Sequence, residues 1–398
     1  MYRFNKSVEQ IVLGGKKYIS NFNNGEMLLL DEVAERILGT NYKERNFSVD
    51  DFVNRRDFLK ELENAGYFDE VDNPLSSAYL HVTNICNLNC IGCYSFDRTR
   101  NCKDRLSLEE MKHILDELYA NGVDTITISG GEPMIRKDLV EIVAYAKGLG
   151  VETINVITNG TLYDEEKLKT LKPYINTLAI SIDGYSYENP RFIRDEGTFP
   201  KVISFIQQAK ELGMELCILP TLHHFNIEHV EDYLKLSKEL KVPISFSLLT
   251  CSNDLEEYIP TEENLNYLSN YFLDFMKKGV VPLQDYSNLE AKKHCGAGES
   301  IISVTAEGDV YPCHMMHDTD TKMGNILETS LEDIIKSAKK IPAVEQIHKC
   351  SNCSVKDVCG GGCKARALLV NGSWDTPDPY CQMNYNYYTR FAEEYLYA

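Results

Sequence analysis

From residue 77 to about residue 278 the chain alternates two patterns: short runs of apolar, β-branched residues, and longer stretches whose apolar positions recur every three or four residues. The first pattern suits strands buried on both faces of a parallel sheet, and the second suits helices packed on that sheet. Six such units can be counted, with strands expected at 79–83, 125–129, 153–158, 177–182, 215–220 and 244–249. Leu108–Ala120 is an expected helix, because Ser107 and Glu110 stand at capping-box spacing at its start. Another is expected over 199–212, closed by Gly213. Six units fall short of the eight that close a full barrel. The fold class is therefore α/β, a partial (β/α)6 TIM-like barrel with its site at the carboxyl ends of the strands.

Ahead of the barrel, residues 1–73 show strand-like patterns at 10–21 and 26–30 and helical ones at 32–38 and 48–65, which reads as a small winged-helix-like domain. The barrel is assigned to residues 74–285. Residues 286–398 are rich in cysteine and glycine and poor in long periodic runs, so metal more than apolar burial is expected to organise them.

With 41 basic and 60 acidic side chains the formal net charge is −19, which would repel a phosphate backbone and argues against nucleic acid as a partner. No apolar run is long enough to span a bilayer and the first ten residues lack a signal-peptide pattern, so a cytoplasmic, membrane-free location is expected. In that reducing compartment the thirteen cysteines point to metal binding or catalysis rather than to disulfides. Ten fall in two spaced groups. Cys102, Cys217 and Cys251 stand apart and read as buried small hydrophobes.

Candidate chemistry collects where strands end: the first cysteine group after strand one, Gly130-Gly131-Glu132-Pro133 after strand two, Asn159-Gly160 after strand three and Asp183-Gly184 after strand four. Cys86, Cys90 and Cys93 form C-x3-C-x2-C in a polar loop, compact enough for three thiolates to reach three irons of one [4Fe–4S] cube and leave the fourth iron open. A zinc site would need a fourth ligand nearby, and no residue at suitable spacing supplies one.

These residues resemble the radical S-adenosylmethionine (SAM) superfamily over residues 77–278. The resemblance implies that SAM chelates the open iron and is cleaved to a 5′-deoxyadenosyl radical, with the protein supplying orientation and a dry pocket. It also implies that Gly130, Gly131, Glu132 and Pro133 hold the SAM amino group, that Ser181 and Asp183 contact the ribose hydroxyls, and that Arg194 contacts the SAM carboxylate. The family usually places an aromatic residue just before the third cysteine. This chain has Gly92 there, with Tyr94 following.

The second group is Cys295-x12-Gly308-x4-Cys313, then Cys350-x2-Cys353-x5-Cys359-x3-Cys363-x17-Cys381. A zinc ribbon built on Cys350, Cys353, Cys359 and Cys363 would leave three cysteines unexplained. The pattern resembles the SPASM extension of radical SAM peptide and protein maturases, a carboxyl-terminal iron–sulfur domain with two auxiliary [4Fe–4S] clusters. By that resemblance Cys350, Cys353, Cys359 and Cys381 ligate the distal cluster, while Cys295, Cys313 and Cys363 hold the nearer one. Three [4Fe–4S] clusters and SAM are then the expected cofactors. Three ligands for the nearer cluster leave an iron on which a substrate thiolate, water, histidine or another protein group could sit. His314 and His317 follow Cys313 and read as surface residues.

Residues 1–73 resemble the peptide-recognition element of enzymes that mature ribosomally made peptides, in which a leader segment adds a strand to the sheet edge. The expected partners are a precursor peptide with its leader and an electron donor such as a flavodoxin or ferredoxin. Thioether formation from a cysteine to a carbon of the same peptide uses every feature. Formylglycine formation by an anaerobic sulfatase maturase is the alternative, although His314 stands where those enzymes carry an aspartate. Carbon–carbon cross-linking or epimerisation is a third reading. An iron–sulfur electron carrier is the non-enzyme reading, opposed by the turn after strand two.

Overall fold

The computed structural model describes residues 1–44, 46–69, 75–91, 93, 106–250, 253–277 and 289–395. The expected domain boundaries at 73/74 and 285/286, together with Gly92, Tyr94, Cys102 and Cys251, lie outside the described residues.

The amino-terminal unit is a three-stranded antiparallel sheet, β1 (Val8–Leu13), β2 (Lys16–Asn21) and β3 (Met27–Leu29), in that order, followed by helices α1 (Glu32–Leu38) and α2 (Arg56–Asn64). The single strand expected over 10–21 is in fact a hairpin, because Gly14 and Gly15 both take positive φ and turn the chain between Leu13 and Lys16. The helix expected over 48–65 is likewise in two pieces, a short 3-10 turn at Val49–Phe52 and then α2. The sheet has two apolar faces. Val8 and Ile19 join Phe47, Phe52, Phe58 and Leu62 in the unit's own core, while Ile11, Leu13 and Tyr18 pack against residues of the barrel and the carboxyl-terminal region.

The barrel strands are β4 (Ser77–His81), β5 (Thr125–Ser129), β6 (Thr153–Thr158), β7 (Thr177–Ile182), β8 (Leu216–Leu222) and β9 (Ser247–Leu248), paired parallel in sequence order. The helices that follow them in turn are α3 (Leu108–Ala120), α4 (Leu139–Leu149), α5 (Glu165–Leu171), α6 (Thr198–Glu211), α7 (Val230–Leu240) and α8 (Glu262–Lys277). The expected capping box is formed: the Ser107 hydroxyl accepts from the Glu110 N–H, and the Glu110 carboxylate accepts from the Ser107 N–H at 2.8 Å. Alternate strand residues divide the sheet. Ile126, Ile128, Ile154, Val156 and Ile180 are sealed under Ile114, Ile142, Val143 and Phe205 of the helices. Each such side chain contributes about 1.5–3 kcal/mol on burial. The opposite set, Tyr79, Ser129, Ile157, Ser181 and Thr221, turns inward and lines a cavity.

The sheet does not end at β4. The carboxyl-terminal region contributes β10 (Ile301–Val304), which pairs parallel with β4, then β11 (Asp309–Tyr311) and β12 (Gly324–Asn325), both antiparallel, giving nine strands among the described residues. After these come α9 (Leu331–Ser337), the short α10 (Lys356–Cys359), α11 (Lys364–Asn371) and α12 (Cys381–Tyr395). This corrects the expectation that metal more than apolar burial organises residues 286–398. Leu331 and Ile334 of α9 join the barrel core, and Met383, Tyr387, Tyr388 and Phe391 of α12 form a buried stripe shared with Leu265 and Leu268 of α8. Among the described residues no helix is long and apolar enough to cross a membrane.

Candidate active site and iron–sulfur centres

A cavity of about 1200 Å³ opens at the carboxyl ends of the barrel strands. It is lined by Cys86, Cys90 and Cys93 with Ser129, Gly130, Gly131, Glu132, Ser181 and Arg194, and also by Cys295, Cys313 and Cys363. Phe22 to Gly25, the turn between β2 and β3, contribute to its wall.

The first cysteine loop is stitched to the turn after β5 by backbone hydrogen bonds, Gly131 N–H to Thr83 O at 2.7 Å and Glu132 N–H to Ile85 O at 2.8 Å. Only glycine permits this approach. Gly130 sits at φ +128, and a Cβ there would lie 2.3 Å from Thr83 O, while one on Gly131 would lie 2.2 Å from Ile85 O. Further bonds tie the loop to its other neighbours: Ile91 N–H to Ile193 O at 2.9 Å, Asn89 N–H to the Asp195 carboxylate at 2.8 Å, and Asn87 to Thr161 at 2.8 Å. Asn159 donates to Asn87 and lies 3.9 Å from the Cys86 sulfur. The Cys90 thiol is pushed up by burial, opposed by the Arg194 guanidinium 4.0 Å away and reinforced by Cys93 and Cys86.

Three of the expected SAM-contacting residues, Glu132, Asp183 and Pro133, also hold the loops around the cavity. The Glu132 carboxylate, 1% exposed, lines the cavity and accepts from Met134 N–H (3.0 Å), Thr158 Oγ1 (2.7 Å) and Asn159 N–H (2.7 Å), so it clasps the ends of β5 and β6. Burial raises its pKa, and those hydrogen bonds oppose the rise. Asp183 does not line the cavity. One of its carboxylate oxygens accepts from the N–H groups of Phe192 (2.5 Å), Ile193 (3.0 Å) and Arg194 (3.0 Å), so it shapes the loop that carries Arg194. Pro133 opens a buried 3-10 turn away from the cavity. Gly130, Gly131, Glu132, Ser181 and Arg194 line it.

His314 and His317 are not surface residues. The His314 ring stacks on Tyr79 at 3.9 Å, its Nδ1 lies 3.6 Å from the Cys313 sulfur, and burial holds its pKa down at about 3. His317 packs edge-on against His81 at 4.6 Å and meets the Ser303 hydroxyl at 2.9 Å. Cys217 faces the barrel interior, where burial pushes its thiol up to about 11.

The carboxyl-terminal thiols fall into two neighbourhoods. Cys295, Cys313 and Cys363 face the cavity. Gly298 N–H bonds to Pro312 O at 2.9 Å and joins the first two segments, and burial raises the Cys363 thiol with Cys295 among its acidic neighbours. Cys350, Cys353, Cys359 and Cys381 lie away from the cavity and near one another. Burial raises Cys350, Cys381 and Cys359, the last to about 12. Cys381 adds to the rise at Cys350 and at Cys359, and Cys353 to that at Cys381. Three consecutive glycines at positive φ, Gly360 to Gly362, carry the chain from the second neighbourhood to the first. Behind Cys363 lies a buried ion pair: Asp378 accepts from Arg366 Nε (2.9 Å) and Nη2 (2.7 Å), and also from Cys363 N–H at 2.7 Å. The sequence reading missed Asp378, whose only local signal is its place three residues before Cys381.

Among the described residues no three His, Cys, Asp or Glu side chains are arranged to hold a single metal ion. The fit is therefore judged by thiol grouping. Groups of three, three and four cysteines, partly buried and flanked by Arg194, Arg366 and Lys364, form a donor set suited to anionic iron–sulfur clusters.

Comparison with known proteins agrees with this geometry. Residues 80–237 match the radical SAM superfamily, and residues 295–354 match the SPASM iron–sulfur cluster-binding domain. Together the two matches span more than half of the chain. An AdoMet-dependent heme synthase of Methanosarcina barkeri is 27% identical over 74% of this chain and 93% of its own. A mycofactocin maturase of Mycobacterium ulcerans is 26% identical over 79% and 89%. Among solved structures, SuiB of Streptococcus suis bound to S-adenosylmethionine shares the fold with a TM-score of 0.63 at 18% identity, covering 96% of this chain and all of its own. The chain thus belongs to the radical SAM superfamily as a SPASM-domain enzyme of the peptide and cofactor maturase group, with SAM and [4Fe–4S] clusters as its cofactors.

Proposed function

We propose that this enzyme joins a cysteine sulfur of a ribosomally made precursor peptide to a carbon of the same peptide. The observation that carries the reading is the shared cavity: its lining includes the three-cysteine loop and the glycine turn together with Cys295, Cys313 and Cys363, with no fourth cysteine of that second set among the described lining residues. Cys86, Cys90 and Cys93 would hold the SAM-binding cluster, Gly130, Gly131, Ser181 and Arg194 would position SAM, and Asp183 and Glu132 would fix the loops that carry them. Cys295, Cys313 and Cys363 would hold the nearer auxiliary cluster, and Cys350, Cys353, Cys359 and Cys381 the distal one. When bound, SAM supplies the 5′-deoxyadenosyl radical. The bond forms with net loss of two hydrogens from the peptide: one passes to the deoxyadenosyl carbon, and the other leaves as a proton with its electron passed to an iron–sulfur cluster.

The amino-terminal sheet supports a peptide substrate. β3 is an edge strand among the described residues, half of Leu29 is exposed, and the adjoining turn Phe22 to Gly25 walls the cavity, so a leader strand added there would lead toward it. The fold likeness to SuiB covers 96% of this chain and so includes this unit, and SuiB has also been solved with its precursor peptide SuiA. A cytoplasmic flavodoxin or ferredoxin would supply the reducing electron. The heme synthase relative favours a second reading, modification of a small cofactor.

The test is anaerobic co-expression with a cysteine-containing peptide encoded beside the gene, followed by thiol alkylation and intact-mass spectrometry. Loss of hydrogens in pairs, with an equal loss of alkylatable thiols, is expected. Hydrogen loss with every thiol still free would move the assignment to carbon–carbon cross-linking, and an unchanged mass to epimerisation or a non-peptide substrate.

A further inference from the structure

Lys364 opens α11 directly after Cys363, and its side chain is completely buried. Its Nζ has no hydrogen-bond partner among the described residues. A buried ammonium group without a partner is among the most costly groups a fold can carry, and it persists where opposite charge is delivered to it. The charged groups around Lys364 are Cys295 of the nearer thiol set, Cys350 and Cys359 of the distal set, and Asp378. Asp378 is already held bidentate by Arg366. The backbone makes room for the amine: Gly361 lies at φ +80, where a Cβ would stand 2.9 Å from Nζ.

We propose that Lys364 is a shared counter-cation set between the two auxiliary clusters, holding both at higher reduction potentials than their thiolate ligands alone would give. The inference rests on the assignment of those seven cysteines to two clusters. An [Fe–S] cluster with thiolate ligands is anionic and gains charge on reduction, so a fixed cation favours the reduced state, and hydrogen bonds to its sulfurs act in the same direction. One ammonium whose field reaches thiols of both sets would act on both clusters together, which a residue beside only one set would not do.

The test is an anaerobic redox titration, followed by electron paramagnetic resonance, of the full-length reconstituted enzyme and three variants. At the potential where each auxiliary cluster of the parent is half reduced, the reduced-to-oxidised ratio should fall about tenfold at both clusters in Lys364→Met and Lys364→Gln, corresponding to about 59 mV for one electron. Lys364→Arg, which keeps the charge, should stay within about twofold of the parent, and the SAM-binding cluster should not move in any variant. Should the neutral variants lose auxiliary iron, full loading of Lys364→Arg supports the proposal, and equal loss in Lys364→Arg overturns it. Unmoved potentials in loaded neutral variants overturn it alone. A parent without auxiliary clusters overturns the cluster assignment together with it.

Discussion

The barrel and the carboxyl-terminal module both present cysteines to one cavity, yet they rest on different supports. The barrel loop with Cys86 is bonded to turns that spring from a continuous aliphatic core running through every strand from β4 to β8. Among the described residues, the segments around Cys295, Cys313, Cys350 and Cys363 are backed by small clusters, one built on Ala297, Met316, Ile341, Ala365 and Trp374 and another on Val344, Ile347 and Cys350. Each end of the module is anchored, by β10 on β4 and by α12 on α8, and Val355 and Val358 bring Cys353 and Cys359 against the α12 cluster, whereas Cys313, Cys350 and Cys363 rest on the small clusters. The difference teaches that the same ligand chemistry can be an addition to a finished fold in one place and part of the folding energy in another.

The sharpest way to break this comparison is to remove one thiol from each region. Cys86→Ala should abolish SAM cleavage while leaving the thermal midpoint almost unchanged. Cys350→Ala should lose auxiliary iron and become open to limited proteolysis between residues 341 and 381. Equal proteolytic resistance in the two proteins would remove the distinction. Next in size is the buried ion pair behind Cys363. Asp378→Ala strands the Arg366 guanidinium and the Cys363 N–H and should cost about 3–5 kcal/mol in denaturant unfolding. A loss below about 1 kcal/mol would show that the clusters alone support the module.

Gly131→Ala probes the barrel side. A Cβ placed 2.2 Å from Ile85 O must push the turn off the cysteine loop, so a loss of about 2–3 kcal/mol with weakened SAM binding is expected, measured by unfolding and by equilibrium dialysis. The smallest effect belongs to His223, packed among Phe192, Phe225 and Tyr258, where burial holds its pKa down at about 4. The folded state keeps it neutral while the unfolded chain takes up a proton near pH 6.5. Its contribution is thus complete above that pH and is lost as pH falls toward 4. His223→Gln should flatten the stability profile across this window by on the order of 1–2 kcal/mol, and an unchanged slope would contradict the assignment.

The sequence and the structure agree most closely where the signals are local. The capping box of α3 and the strands at 125–129, 153–158 and 177–182 depend on neighbours a few residues apart, and they stand where the pattern put them. The pairing of β10 with β4 joins residues more than two hundred positions apart, and four residues carry no period long enough to announce it. α12 is hidden by its composition, since half of its buried stripe of Met383, Tyr387, Tyr388 and Phe391 is tyrosine, and asparagines stand between. At the site the cysteine spacing and the double glycine were legible because chemistry fixes residue type and separation. Which way a carboxylate turns was not: Glu132 ties its own turn to the end of β6, Asp183 faces the backbone of its own loop, and Lys364 acquires its neighbours from both thiol sets only in the fold.

The central claim is that a thiol entering from the peptide side can reach the nearer auxiliary cysteines across the cavity that also holds the first cysteine loop. The most direct test is the electron paramagnetic resonance spectrum of the nearer auxiliary cluster, recorded on the reconstituted enzyme with the cysteine-containing peptide and with the same peptide carrying serine. A spectrum changed by the cysteine peptide and untouched by the serine peptide is the predicted result. Identical spectra with both peptides, at concentrations where both bind, would contradict it.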